Sequence, residues 1–176
     1  MAANHKRFVL IAAPHTSNWD LPFMLAAAKV IDVRVSWFGK HTIFKFPLGW
    51  FMRWLGGIPV DRRASQSLVT QMAERFKTSD YLVLAVPPEG TLARVEHWKS
   101  GFYHIAVKSG VPIGLGYLDY SRRLCGIGKF LMPSGDVDKD MDTIRAFYRN
   151  IRGKYPEGES EPRLLEERSA PNRTSA

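Results

Sequence analysis

The stretch Tyr81-Leu82-Val83-Leu84-Ala85-Val86, closed by Pro87-Pro88 and followed by Glu89-Gly90-Thr91, decides the fold class. Six apolar residues in an unbroken run, without alternating polar positions, describe a central strand buried on both faces. The two prolines end it, because neither has an N–H to give to a ladder. Segments of helical and strand character alternate on either side of this strand. Residues 8–13, 33–38 and 113–118 read as strands, and 21–30 as a helix with Pro22 tolerated in its first turn. Residues 65–77 form an amphipathic helix, with Leu68, Val69, Met72, Ala73 and Phe76 on one face and Ser65 as N-cap. Residues 101–108 and 138–151 read as helices, the latter carrying Met141, Ile144, Phe147 and Ile151. Gly126-Ile127-Gly128-Lys129 is a fragment of a phosphate loop without the rest and reads as a turn. The alternation predicts α/β: a single layered domain, its central mostly parallel or mixed sheet flanked by helices. It occupies 1–154. From 155 to 176 the chain has Pro, Gly, Ser and mixed charge without periodicity, and a flexible C-terminal tail is expected.

The chain has 176 residues, 45% of them hydrophobic and 12% aromatic, enough for one domain with a real core. The single cysteine, Cys125, permits no intramolecular disulfide. It reads as a packed, inert thiol and suits a reducing compartment. A net charge of +8 calls for an anionic partner: nucleic acid, a negatively charged membrane or a phosphorylated substrate. No run approaches the ~20 apolar residues that span a bilayer, so any membrane contact is peripheral. Lys6 and Arg7 precede the apolar residues 8–13, but that run is short and lacks a cleavage site, so it is a strand and not a signal peptide.

Three groups of residues carry candidate chemistry. Beyond the first strand comes Pro14-His15-Thr16-Ser17-Asn18-Trp19-Asp20. Ligand sites of open α/β sheets lie past the carboxyl ends of the strands. A histidine there, with an intrinsic pKa of about 6.5, accepts a hydroxyl proton near neutrality, and a carboxylate on its other nitrogen fixes the tautomer. Asp20 also precedes a helix, where aspartate is a favoured N-cap, and His15 alone is equally an ordinary loop histidine. Second, Gly56-Gly57-Ile58-Pro59-Val60-Asp61-Arg62-Arg63 offers a tight turn and an arginine able to clamp a phosphate; Arg62 reads equally as that clamp or as part of a solvated basic turn, and Arg63 as a solvated basic residue. Third, Glu89 stands where an unpaired carboxylate is costly, while Gly90 and Thr91 supply donors for an anion. An ordinary turn closing a strand fits the same residues.

Taken in order and spacing, these residues resemble the glycerolipid acyltransferase superfamily, typified by 1-acyl-glycerol-3-phosphate acyltransferases. That family shows H-x4-D, a Gly-rich segment ending in Arg, a Phe-Pro-Glu-Gly-Thr-Arg block and a Val-Pro-Ile-type strand, the last matched here by Val111-Pro112-Ile113. The resemblance runs from His15 to Leu118. It implies His15 as general base, Asp20 as its orienter, and Arg62, Glu89, Gly90 and Thr91 as acceptor-site residues. It implies no bound cofactor, an acyl-CoA or acyl-ACP thioester as co-substrate, and a lysophospholipid-like acceptor. Two positions depart from the pattern: Pro87 replaces the family Phe, and Leu92 replaces the Arg associated with the acceptor phosphate. Arg94 or Lys99 can supply that charge, or the acceptor carries no phosphate. The helical segment that seats many members in the membrane is not expected ahead of residue 8.

Direct attack of the acceptor hydroxyl needs no nucleophilic side chain, and no G-x-S-x-G elbow occurs. Residues 44–55, with Phe44, Phe46, Trp50, Phe51 and Trp54 beside Lys40, Lys45 and Arg53, are expected to divide between core, acyl pocket and a face that meets an anionic membrane. This gives a cytoplasmic protein, peripheral on the inner face of the membrane. His97 and His104 lack partners at ligand spacing, so no metal site is expected. A hydrolase using the same base and a basic binding module remain as other readings. The basic residues are scattered without a nucleic-acid motif, so no nucleic-acid partner is expected.

Overall fold

The computed structural model describes residues 5–60 and 65–167. The elements are β1 (Arg7–Ala13), α1 (Asp20–Val30), β2 (Val35–Lys40), α2 (Gly49–Trp54), β3 (Gly57–Val60), α3 (Ser65–Thr78), β4 (Leu82–Val86), α4 (Gly101–Ser109), β5 (Ile113–Asp119), β6 (Leu124–Leu131) and α5 (Val137–Tyr148). They build one six-stranded sheet in the order β3-β2-β4-β1-β5-β6. All neighbours are parallel except β6, which runs antiparallel to β5. The mixed α/β architecture expected from the sequence is therefore present.

Strand parity divides the core. Val9 and Ile11 of β1 and Leu82 and Leu84 of β4 face a cluster containing Met72 and Phe76 of α3, Phe102 and Ile105 of α4, and Met141 and Ile144 of α5. The intervening Phe8, Leu10, Val83 and Ala85 face the other way, against Ala28 of α1 and Trp37 of β2. Both β1 and β4 are covered on both faces, which is why each reads as an unbroken apolar run.

Two expectations are corrected by packing. Residues 126–129 are not a turn but lie inside β6. β6 is an edge strand, and a register shift against β5 at Leu115/Gly116 breaks the period-two pattern that would have announced it. Gly128 is needed there because the Phe147 ring lies where a Cβ would be. Cys125, on the same strand, is exposed and not packed. The second correction concerns residues 155–167, which fold back onto the domain. Trp98 N–H donates to Arg163 O at 2.6 Å, Leu164 is buried in the main core, and Arg145 pairs with Glu167 at 2.9 Å. One apolar anchor and a few polar ties hold this segment, so it has no periodicity to read.

Candidate active site

Both central strands deliver a loop to the same edge of the sheet. β1 passes through Pro14 to His15, and β4 ends at the turn carrying Glu89 and Gly90. Asp20 is the first residue of α1, yet its carboxylate does not cap that helix: the N-cap is Trp19, with no side-chain cap bond. The carboxylate turns back onto the loop. Oδ2 accepts the backbone N–H groups of Thr16 and Ser17, each at 2.9 Å, and faces His15 Nδ1 at 3.0 Å. Oδ1 accepts the Tyr120 hydroxyl at 2.7 Å. Burial pushes Asp20 upward, but bonds from His15, Tyr120 and Ser17 outweigh it and hold the carboxyl below its ordinary value. Asp20 is therefore ionised at neutral pH, so His15 Nδ1 is the donor of the pair and Nε2 stands outside it.

Glu89 lies behind His15 instead of beside it. It is 4% exposed, its Oε1 accepts the His15 backbone N–H at 3.1 Å, and its Oε2 has no partner. Burial pushes this carboxyl up to about 7, with the nearby Asp20 charge adding to the rise and bonds from its own amide and His15 opposing it. Gly90 adopts φ +67, and its N–H donates to Pro87 O at 3.1 Å. The Lys99 side chain lies across it, so that a Cβ at this position would sit 2.7 Å from Nζ. Thr91 is exposed, and its hydroxyl oxygen accepts Ala93 N–H at 3.4 Å.

An apolar cleft of about 260 Å³ starts at this edge. His15, Asp20, Gly90, Thr91 and Leu92 line one end; Ile31 and Val33 line the other. Between them it runs under α1, past Leu21, Met24 and Ala28, for roughly 15 Å at 1.5 Å rise per residue. Glu89 does not line it, so the structure separates Glu89 from the Gly90 and Thr91 grouped with it by sequence. Arg62 falls outside the described residues. The 44–55 stretch does not line the cleft: Phe44 is buried in the sheet-side core, whereas Phe46, Trp50 and Trp54 are 95%, 69% and 74% exposed. Tyr120 was not anticipated. Its only signal is position just past β5, the neighbour of β1, which becomes meaningful once strand order is known. Among the described residues no group of His, Cys, Asp or Glu is placed to hold a metal ion, and no helix is long and apolar enough to cross a membrane.

These features define a class: an α/β domain with a carboxylate-oriented histidine at the carboxyl edge of a mostly parallel sheet, opening on an apolar cleft. Residues 2–114 match the family model described as Acyltransferase, and the chain belongs to that family. A 1-acyl-sn-glycerophosphate (LPA) acyltransferase, PlsC from Thermotoga maritima, shares the fold at a TM-score of 0.54 and 20% identity. The similarity covers 83% of this chain and 65% of that one, so this chain spans about two thirds of PlsC. No curated protein matches by sequence.

Proposed function

We propose that this acyltransferase moves a fatty acyl group from an acyl thioester, carried on coenzyme A or acyl carrier protein, to a hydroxyl of a lysophospholipid-like acceptor. The observation that carries the reading is the His15–Asp20 pair, 3.0 Å apart, at one end of an apolar cleft. In the proposed step His15 Nε2 takes the acceptor hydroxyl proton as the oxygen attacks the thioester carbonyl. The carbon–sulfur bond then breaks, and the proton passes from the imidazolium to the departing thiolate. Asp20 stabilises the imidazolium through Nδ1. The backbone donors of His15, Thr16, Ser17 and Gly90 are all engaged in the loop's own bonds. Asn18 and Thr91, both in the cleft wall, remain to face the oxyanion. The acyl chain runs under α1, in the apolar part of the cleft that opens at His15.

For the acceptor head, Leu92 brings no charge to the cleft wall, and Lys99 lies against Gly90. The exposed Phe46, Trp50 and Trp54, with Lys45 and Arg53, support peripheral contact with an anionic membrane, on its inner face if the protein is cytoplasmic. The test is incubation with labelled acyl thioester and a lipid extract, the product identified by mass spectrometry. An acylated lipid is expected with the native chain and none with His15→Ala of unchanged melting temperature. Retained turnover in that variant refutes the base assignment, and acid release without acylated lipid makes the protein a hydrolase.

A further inference from the structure

A second cavity, of about 410 Å³, shares the Ala13–Pro14 wall with the site but is otherwise built from different residues. Four arginines line it: Arg94, Arg145, Arg149 and Arg152. Arg152 is engaged by Glu159 at 3.1 Å, and Arg145 by Asp142 and Glu167. Arg94 and Arg149 have no carboxylate partner among the described residues. On the acidic side, Glu159 is already committed to Arg152 and the Gly153 N–H, which leaves only the exposed Glu161 in the lining. A second, independent observation is Trp98, which lines the same cavity. It is 3% exposed, and its buried indole Nε1–H has no acceptor. Burying an N–H without a partner is costly, so such groups mark places where an acceptor is missing.

We infer that this cavity binds a phosphate ester. The lining is rich in donors and poor in acceptors, and a phosphate supplies several acceptor oxygens with charge opposite to the free guanidiniums. Arg145, Arg149 and Arg152 lie beyond residues 2–114, so the site is assembled from the segment that follows the part matched by the family model. Arg94 joins it because the loop after Thr91 crosses to this side. The assignment of a source rests on the acyl-transfer reading: the phosphate belongs either to the nucleotide of a coenzyme A donor or to the head of a phosphorylated acceptor. Binding itself does not depend on that reading.

Calorimetric titration of the full chain with inorganic phosphate, adenosine 3′,5′-bisphosphate and glycerol 3-phosphate tests it. Arg94 and Arg149 pair with no carboxylate, so Arg94→Ala/Arg149→Ala is expected to keep the native melting temperature and to weaken binding at least about tenfold. Arg94→Lys/Arg149→Lys should recover part of the affinity. Tightest binding of the bisphosphate assigns the donor, and tightest binding of glycerol 3-phosphate assigns the acceptor. His15→Ala should bind as the native chain does, so loss of turnover with retained binding separates this site from the proposed chemistry. Equal affinity in the native and double-alanine chains, or no binding of any of the three probes, overturns the inference.

Discussion

Glu89→Gln replaces the titrating carboxyl behind His15 with a neutral amide while keeping an acceptor at the position that holds the His15 N–H. Glu89 ionises near 7 in the folded chain, against an ordinary 4.5, chiefly because it is buried with Oε2 unpartnered. Between those two pH values the unfolded chain has lost the proton and the folded chain keeps it. Folding therefore gains from this group fully below pH 4.5, loses the gain as pH rises to 7, and changes no further above it. The interval of about 2.5 pH units at 1.36 kcal/mol each sets the loss at about 3 kcal/mol. The amide of the variant does not titrate. Urea unfolding of both chains at fixed ionic strength, from about pH 4.5 to about pH 8, should show native stability minus variant stability falling by up to about 3 kcal/mol. Titrating groups that do not interact with Glu89 cancel in that difference. A difference constant to within about 0.5 kcal/mol would refute the claim that the buried Glu89 behind His15 keeps its proton up to about pH 7.

Tyr120→Phe deletes the hydroxyl on Asp20 Oδ1, a charge-assisted bond worth roughly 1.5–3 kcal/mol. We expect the Asp20 carboxyl titration to move upward by NMR and kcat to fall roughly tenfold at unchanged KM; an unmoved Asp20 titration removes the positioning role. Trp50→Ser/Trp54→Ser alters side chains that are mostly in solvent and should leave the urea midpoint where it is. Flotation with anionic vesicles should drop roughly tenfold or more, and equal flotation of the two chains would rule out this face as the membrane contact.

The sheet and its flanking helices are legible because burial writes itself into period. β1 and β4 are covered on both faces and read as continuous apolar runs, and α3 and α5 show their stripes. β6 is not legible. It is an edge strand with no fully buried residue, Gly126 and Gly128 give it the composition of a turn, and a register shift against β5 breaks the alternation. Residues 155–167 escape for a related reason: Leu164 carries the apolar burial there, and the rest is held by hydrogen bonds and ion pairs that no composition records.

The site divides the same way, between what spacing fixes and what direction decides. H-x4-D places a carboxylate near a histidine only if the loop turns back, and here two backbone N–H groups from Thr16 and Ser17 make Asp20 the centre of that turn. The same bonds make the capping reading fail, because a carboxylate that accepts donors from the loop, from His15 and from Tyr120 has nothing left for the helix. Glu89, Gly90 and Thr91 stand together in sequence and read as one acceptor site. The left-handed turn at Gly90 sends Glu89 inward, under His15, and leaves Gly90 and Thr91 on the cleft. A carboxylate buried in this way cannot take a substrate's hydroxyl without opening the loop that holds His15. Its position is suited to fixing where His15 stands.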